Sequence, residues 1–307
     1  MKPMLWAVEW QIHTHAAIRA VREAGDAIRA LPRLFEVKAG ESHRSGITQG
    51  DVVSQEILFR HLEKFSNARF LCEEDTSHPR AFSKRDPAGI LETELCFVLD
   101  SLDATARYGS ELDGWCVAAG IMKSGKVVGG ALYAPASNGG FLIASELGQG
   151  VIASDWNGKV VRSIERRAST PLKKSVVLLG VDSLLYRNAT DIVADIASNV
   201  RAVFTSGSGS LGLAWVAAGR AQVVIQTPQK IWDIIPGFRM ALETGNEVRL
   251  FRFVKGERVP VENLDYEAFR TLKETSENRL GYVAGEPALA QKIFDMLPRT
   301  GWERTVS

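Results

Sequence analysis

The alternation of apolar and polar positions along the chain predicts helices and short strands that follow one another. Apolar residues recur at helical spacing over residues 18–31, which predicts an amphipathic helix that ends near Pro32. Asp51 stands where it can cap a second helix. The short apolar run Arg69–Cys72 predicts a strand, and the continuous apolar run Leu95–Leu99 predicts a strand that is buried on both faces.

The pattern changes to strands from residue 115 onwards. The apolar runs WCVAAGIM, KVVGGALYA and GFLIAS are separated by the turn-forming sequences KSGK and PASNGG, which predicts an antiparallel meander. After Pro171, predicted strands alternate with predicted helices such as TDIVADIASNV and LGLAWVAAG. We therefore expect an N-terminal α+β domain, residues 1–170, and a C-terminal α/β domain, residues 171–307.

Composition and charge argue against several classes of protein. Hydrophobic residues make up 45% and charged residues 24% of the chain, as in soluble globular proteins. The formal net charge of +1 gives no bulk electrostatic attraction to nucleic acid or to an anionic membrane. No apolar run approaches the ~20 residues of a membrane-spanning helix. The three cysteines show no CxxC spacing. These features predict a cytoplasmic protein that binds neither nucleic acid nor membranes.

Acidic residues follow two of the predicted strands. Glu73 and Glu74 come directly after one strand, and Asp100 and Asp103 come at the end of the next. Ligands of α/β sheets bind at the carboxyl ends of strands, and four carboxylates gathered there would repel one another without a cation. Mg²⁺ is the natural candidate because it takes hard oxygen ligands. The alternative for Asp100 and Asp103 is a helix N-cap beside a solvated acid.

A third acidic signal comes late in the chain, in the sequence IWDIIPG. Asp233 follows an apolar–aromatic pair and stands where a helix is predicted to begin. Taken alone, it is interpreted as a helix N-cap.

Together, the segments CEED (72–75), DSLDAT (100–105) and WDIIPG (232–237) resemble the motifs of the inositol monophosphatase and fructose-1,6-bisphosphatase superfamily. Those phosphatases depend on Mg²⁺ and are sensitive to lithium. Their motifs are a Glu-Glu pair, D-P-[IL]-D-G-T and W-D-x-A-A-G, in the same order. The resemblance covers nearly the whole chain and implies an α/β fold, a layered αβαβα sandwich, that assembles as a homodimer.

The resemblance also implies a role for each matching residue. Two Mg²⁺ ions, or Mn²⁺ in their place, would be held by oxygen atoms of Glu73, Asp100, Leu102, Asp103 and Asp233. Glu74 and Asp51 would act near the attacking water or a third, weaker metal, and Thr105 would help to activate that water. The N–H groups of Ala104 and Thr105 would hold the phosphate.

Several positions depart from the family pattern. Ala104 replaces a glycine beside the phosphate, where a positive φ would be disfavoured for alanine. Gln226 stands where inositol-specific members carry a glutamate that binds substrate, which argues against myo-inositol phosphate. Arg107 replaces a residue beside the phosphate, where it could meet a second anionic group. Ser208, in the sequence SGSGS, belongs either to a plain turn or to the rim of the substrate site.

These observations predict a Mg²⁺-dependent phosphomonoesterase that acts on a small polyol, sugar or nucleotide phosphate. The alternative is a non-catalytic homologue that binds metal or phosphate and has a regulatory role. Ala104 and the altered Trp-Asp motif, where Ile235 and Pro236 replace two alanines, motivate that alternative.

Overall fold

The computed structural model of the 307-residue chain describes most of its length. The described residues are 10–38, 46–82, 88–137, 139–154, 159–162, 170–180, 186, 189–264, 269 and 279–302. The predicted boundary between domains falls beside residues 163–169, which lie outside the described part of the chain.

Helices and strands alternate in the described ranges, as the apolar pattern predicts. The helices are α1 (Ile12–Ile28), α2 (Gln49–Leu62), α3 (Thr105–Gly109), α4 (Ala189–Asn199), α5 (Gly209–Ala217), α6 (Ile235–Glu243) and α7 (Pro287–Met296). The strands are β1 (Glu36–Val37), β2 (Gly46–Ile47), β3 (Ala68–Cys72), β4 (Leu95–Asp103), β5 (Cys116–Lys123), β6 (Lys126–Ala134), β7 (Phe141–Glu146), β8 (Gly150–Ser154), β9 (Val160–Arg162), β10 (Val176–Leu179), β11 (Ala202–Thr205), β12 (Val223–Gln229), β13 (Glu247–Val254), β14 (Glu257–Val261) and β15 (Leu280–Gly285).

Two large sheets organise these elements. The first has the strand order β3-β4-β5-β6-β7-β8-β9. Its β3 and β4 are parallel and the rest of its neighbours are antiparallel, so the predicted meander is confirmed. The second sheet has the order β11-β10-β12-β15-β13-β14, in which β10 runs parallel to both of its neighbours.

The two sheets and three layers of helices form an αβαβα sandwich, which confirms the predicted fold class. Helices α1 and α2 cover one face of the first sheet, and α5 and α6 lie between the two sheets. Helices α4 and α7 cover the outer face of the second sheet. Buried apolar clusters fill each of these spaces. Among the described residues, no helix combines the length and the apolar character needed to cross a bilayer.

The α6 helix lies unusually close to the first sheet. Gly120 and Gly130 pair with each other across β5 and β6. A Cβ atom at Gly130 would lie 2.3 Å from the carbonyl oxygen of Pro236, and one at Gly120 would lie 2.5 Å from the Ile235 side chain. The two glycines therefore make a flat patch that lets the start of α6, and the turn before it, reach the end of β4.

A buried carboxylate fastens the start of α1 to the first sheet. Gln11, the N-cap of α1, makes no side-chain capping bond of its own. Instead, Glu146 at the end of β7 accepts hydrogen bonds from the Gln11 N–H at 2.9 Å and from the Thr14 hydroxyl at 2.7 Å. A carboxylate at a helix N-terminus is also favoured by the helix dipole.

Glu146→Ala is expected to lower the free energy of unfolding by about 2 kcal/mol, because it leaves the Gln11 N–H and the buried Thr14 hydroxyl without an acceptor. Chemical denaturation measures this loss. The matched control is Glu56→Ala on the exposed face of α2, which should change stability by less than about 0.5 kcal/mol. Equal effects of the two substitutions would contradict the capping role of Glu146.

Candidate metal centre

Parallel pairing of β3 with β4 brings the first two acidic groups together. Cys72 pairs with Leu99, and the Glu73 N–H donates to the Leu99 carbonyl oxygen at 3.0 Å. Glu73 and Asp100, the next residues along each chain, therefore leave the sheet side by side at its carboxyl edge.

The end of β4 is irregular at the point where the aspartates stand. Its pairing with β5 shifts register between Asp100 and Asp103. Such a bulge changes the direction in which side chains point. The Leu102 N–H donates to Oδ1 of Asp100 at 3.2 Å. All nine residues of β4 are buried, so both carboxylates are held in the interior.

The third aspartate reaches the cluster from the other sheet. Asp233 ends a short 3-10 turn, Ile231–Asp233, that precedes α6. The predicted N-cap role of Asp233 is wrong, because α6 begins two residues later and Ile234 is its N-cap. The carboxylate instead accepts the Lys230 N–H at 3.2 Å. Oxygen atoms of Asp100, Asp103 and Asp233 all lie within 4.8 Å of one another.

The SGSGS segment contacts the cluster directly. The Ser208 hydroxyl donates to Oδ2 of Asp103 at 2.6 Å, and the Ser210 N–H donates to the same atom at 2.9 Å. Ser208 is also the N-cap of α5, since its side chain accepts the Leu211 N–H. The start of α5 is therefore tied to an acidic residue that lies more than 100 positions earlier in the chain.

Asp51 and Thr105 contact each other just after the end of β4. Thr48, not Asp51, is the N-cap of α2, and Asp51 occupies the third helical position, where it completes a capping box. One Asp51 oxygen accepts the Thr48 N–H at 2.6 Å. The hydroxyl of Thr105 lies 3.2 Å from the other Asp51 oxygen and 3.0 Å from the Leu102 carbonyl oxygen.

A lysine that no sequence motif marks also belongs to the cluster. The ammonium of Lys38, just after β1, lies 2.6 Å from Glu74 and 3.6 Å from Glu73. Burial lowers the pKa of Lys38, but the two glutamates more than offset this and raise it. Lys38 is therefore a fixed positive charge beside the carboxylates. Its two partners lie more than 30 positions later in the chain, so only the tertiary structure shows them.

The electrostatics of the cluster fit a site for a divalent cation. Burial, together with the charge of Glu73, raises the pKa of Asp100, and burial with the charge of Asp103 raises that of Asp233. Burial raises the pKa of Asp103 to about 6, although its Ser208 and Ser210 hydrogen bonds oppose this. Oδ2 of Asp100 is buried and accepts no hydrogen bond. A set of buried carboxylate oxygens with an unsatisfied acceptor fits a hard divalent cation.

The pKa values of Glu74 and Asp51, the two acids predicted to act on water, are also raised. Burial raises the pKa of Glu74 to about 7, helped by the charge of Glu73 and opposed by Lys38. Burial likewise raises the pKa of Asp51 to about 6 against the hydrogen bonds from Thr48. The catalytic and metal-binding roles predicted for these residues stay predictions, but the structure brings all of them to one place.

Gln226 lies behind the site. It is buried in β12, and its amide nitrogen lies 3.1 Å from the Ser206 hydroxyl and 3.4 Å from the Ser208 carbonyl oxygen. In this position it supports the SGSGS segment. Its predicted contact with substrate stays a prediction.

Ala104 adopts a backbone conformation that favours glycine. It is the N-cap of α3, with φ 70° and ψ 49°, in the left-handed region. The concern raised by the sequence, that this position requires a positive φ, is therefore confirmed. An alanine in this region costs on the order of 1 kcal/mol relative to its usual conformations.

Comparisons with known proteins show the family to which the chain belongs. The model of the Inositol monophosphatase family matches residues 9–279. An inositol-1-monophosphatase of Mesorhizobium japonicum is 27% identical over 240 residues, which cover 75% of this chain and 82% of that protein. A putative Nus factor SuhB of Neisseria meningitidis serogroup B is 25% identical over 240 residues, which cover 76% of this chain and 85% of that protein.

A solved structure shares the fold. The extragenic suppressor protein suhB from Bartonella henselae superimposes with a TM-score of 0.71 at 21% identity. The match covers 93% of this chain and 98% of that one. At this identity the likeness supports the fold, and the functional argument depends on the residues of the cluster.

The raised carboxyl pKa values predict that the metal-free protein loses stability as the pH rises. The folded chain holds protons on Asp51, Asp103 and Glu74 up to about pH 6 to 7, whereas an unfolded chain releases them near pH 4. The folded state binds more protons between these limits. Its free energy of unfolding should therefore fall as the pH rises from about 4 to about 7.

A cation that binds these carboxylates replaces their protons, so Mg²⁺ should raise the unfolding temperature more at pH 8 than at pH 5. Thermal unfolding in EDTA and in Mg²⁺ across this range measures the effect. Equal stabilisation at both pH values, or none, would contradict a cation site at this cluster.

Ala104→Gly is expected to raise the free energy of unfolding by about 1 kcal/mol, because glycine adopts the left-handed conformation without strain. Ala106→Gly, in the same short helix but exposed, is the matched control and should lower it by about 0.5–1 kcal/mol. Chemical denaturation of both variants compares them. If both substitutions destabilise the protein, the native site has adapted to the methyl group of Ala104.

Proposed function

Because this chain belongs to the inositol monophosphatase family, we propose that it is a Mg²⁺-dependent phosphomonoesterase. Membership of the family supports a phosphatase-type function in general. The finer proposal, hydrolysis of a small polyol, sugar or nucleotide phosphate, rests on the residues of the metal centre.

The observation that carries the proposal is the convergence of Asp100, Asp103 and Asp233, whose oxygens lie within 4.8 Å of one another. Together with Glu73 and the Leu102 carbonyl oxygen, they would hold two Mg²⁺ ions. Bound there, the ions would lower the pKa of a coordinated water and neutralise the negative charge of the leaving oxygen. Every proposed ligand is an oxygen atom, which suits Mg²⁺ and also admits Mn²⁺.

The Thr105–Asp51 pair is suited to orient the attacking water. The Thr105 hydroxyl has two acceptors within reach, Asp51 at 3.2 Å and the Leu102 carbonyl oxygen at 3.0 Å. Its one proton is donated to one of these two acceptors, which leaves its lone pairs to accept a hydrogen bond from water. Asp51 and Glu74, with pKa values of about 6 and about 7, are matched to take up a proton near neutral pH.

The phosphate itself would meet the first turn of α3. The N–H groups of Ala104 and Thr105 begin this helix, and free N–H groups at a helix start bind anions. Lys38 fixes the position of Glu74 through its ion pair. The two N–H groups would hold the phosphate, and Thr105 would orient the water that attacks its phosphorus.

The leaving group would extend towards the SGSGS segment. Ser208 lies there, and Gln226 supports it from behind. The proposal also includes a homodimer and a cytoplasmic location. The family resemblance alone supports the homodimer, and the composition alone supports the location.

A second candidate is a regulatory role that does not depend on turnover. Several relatives at about this identity carry the name Nus factor SuhB, and the strained Ala104 stands beside the phosphate position. This candidate predicts normal Mg²⁺ binding without hydrolysis of any phosphomonoester.

Asp100→Asn is expected to lower turnover by about 100-fold or more and to weaken Mg²⁺ binding, because it removes one of the carboxylates proposed to hold the ions. In EDTA the variant should be at least as stable as the wild type, since one buried charge is gone. Phosphate release, calorimetric Mg²⁺ titration and thermal unfolding measure the three effects. The isosteric control, Asp191→Asn on the exposed surface of α4, should match the wild type. Wild-type turnover in Asp100→Asn would disprove the metal assignment.

A further inference from the structure

Arg107 is held in a fixed position at the edge of the metal centre. It lies on α3, one helical turn after Ala104. Its Nη1 donates to the Asp113 carbonyl oxygen at 2.8 Å, and its Nη2 lies 3.4 Å from the Thr205 carbonyl oxygen. The guanidinium therefore bridges the turn after α3 and the end of β11.

A glycine makes room for this side chain. Gly207 has a φ of +69°, and a Cβ atom there would lie only 2.0 Å from Nε of Arg107. The guanidinium therefore packs directly against the main chain at residue 207. The next residue, Ser208, donates to Asp103 at 2.6 Å. Arg107 therefore packs against the SGSGS segment, next to the residue that contacts the metal centre.

Within the described ranges, no carboxylate forms an ion pair with the Arg107 guanidinium, whereas Lys38 pairs with both Glu73 and Glu74. A guanidinium has five N–H donors, and only two of the five are directed at the carbonyl oxygens of Asp113 and Thr205. Nε packs against Gly207, so an oxyanion would meet the second N–H of Nη1 and of Nη2. The two contacts to carbonyl oxygens limit the side-chain entropy that binding would cost.

We propose that Arg107 binds a second anionic group of the substrate, a carboxylate or a second phosphate carried on the leaving group. The inference rests on the proposed function, because the first phosphate must lie at the start of α3. The guanidinium packs against Gly207, the residue before Ser208, and Ser208 donates to Asp103 in the metal centre. The second anion would therefore be separated from the first by a short spacer. Arg107 would select such substrates over phosphomonoesters with an uncharged leaving group.

The test compares three substrates that share one ring: phenyl phosphate, 4-carboxyphenyl phosphate and 1,4-phenylene bisphosphate. The wild type should prefer at least one of the two substrates that carry a second anion. The preferred substrate shows whether that anion is a carboxylate or a phosphate. Arg107→Met should remove that preference by raising KM about 10- to 100-fold, while kcat/KM for phenyl phosphate changes far less. Arg107→Lys, which keeps the positive charge, should retain part of the preference for substrates with a second anion. Arg60→Met, on the exposed surface of α2, is the control and should keep the wild-type preference.

Binding separates this inference from the proposed function. Calorimetry in Mg²⁺ with phenylphosphonate and 4-carboxyphenylphosphonate, together with 1,4-phenylenebisphosphonate, needs no hydrolysis. If the wild type releases no phosphate from any substrate but still binds a doubly anionic phosphonate through Arg107, the proposed function fails and the inference stands. Equal losses for all ligands in Arg107→Met would mean that Arg107 only positions residues 205–210, and would overturn the inference. An absence of preference in the wild type would overturn it as well.

Discussion

The mutual repulsion of buried carboxylates is the constraint on which this structure depends. Asp100, Asp103 and Asp233 lie together in the interior, where unpaired charges are costly. The protein offsets part of that cost with its own groups. Ser208 and Ser210 donate to Asp103, Lys38 pairs with the two glutamates, and the Lys230 N–H donates to Asp233. Oδ2 of Asp100 stays unsatisfied, which leaves a place for a cation to complete the balance.

The cluster also explains how the two sheets are joined. Asp100 and Asp103 come from the first sheet, whereas Asp233 and the two serines come from elements next to the second. The close approach of α6 to β5 and β6, which Gly120 and Gly130 permit, brings these groups within reach of one another. A cation shared by these aspartates would therefore stabilise the contact between the sheets as well as take part in chemistry.

The strands and their acidic ends could be predicted from the sequence because both are local signals. A continuous apolar run followed by Asp100 and Asp103, for example, carries its own evidence. Local reasoning failed where a neighbour changed the outcome. Thr48 took the N-cap position from Asp51, and a 3-10 turn separated Asp233 from its helix. Lys38 and the Ser208–Asp103 bond could not be predicted, because each joins segments that are distant in the chain and are brought together only by packing.

The most direct measurement is phosphate release from a panel of phosphomonoesters in Mg²⁺, in EDTA and with added Li⁺. The panel should include inositol, sugar and nucleotide phosphates. The account predicts release from at least one compound that requires Mg²⁺, stops in EDTA and is inhibited by Li⁺. Release that persists in EDTA would contradict it, and so would a complete lack of release from a protein that still binds Mg²⁺.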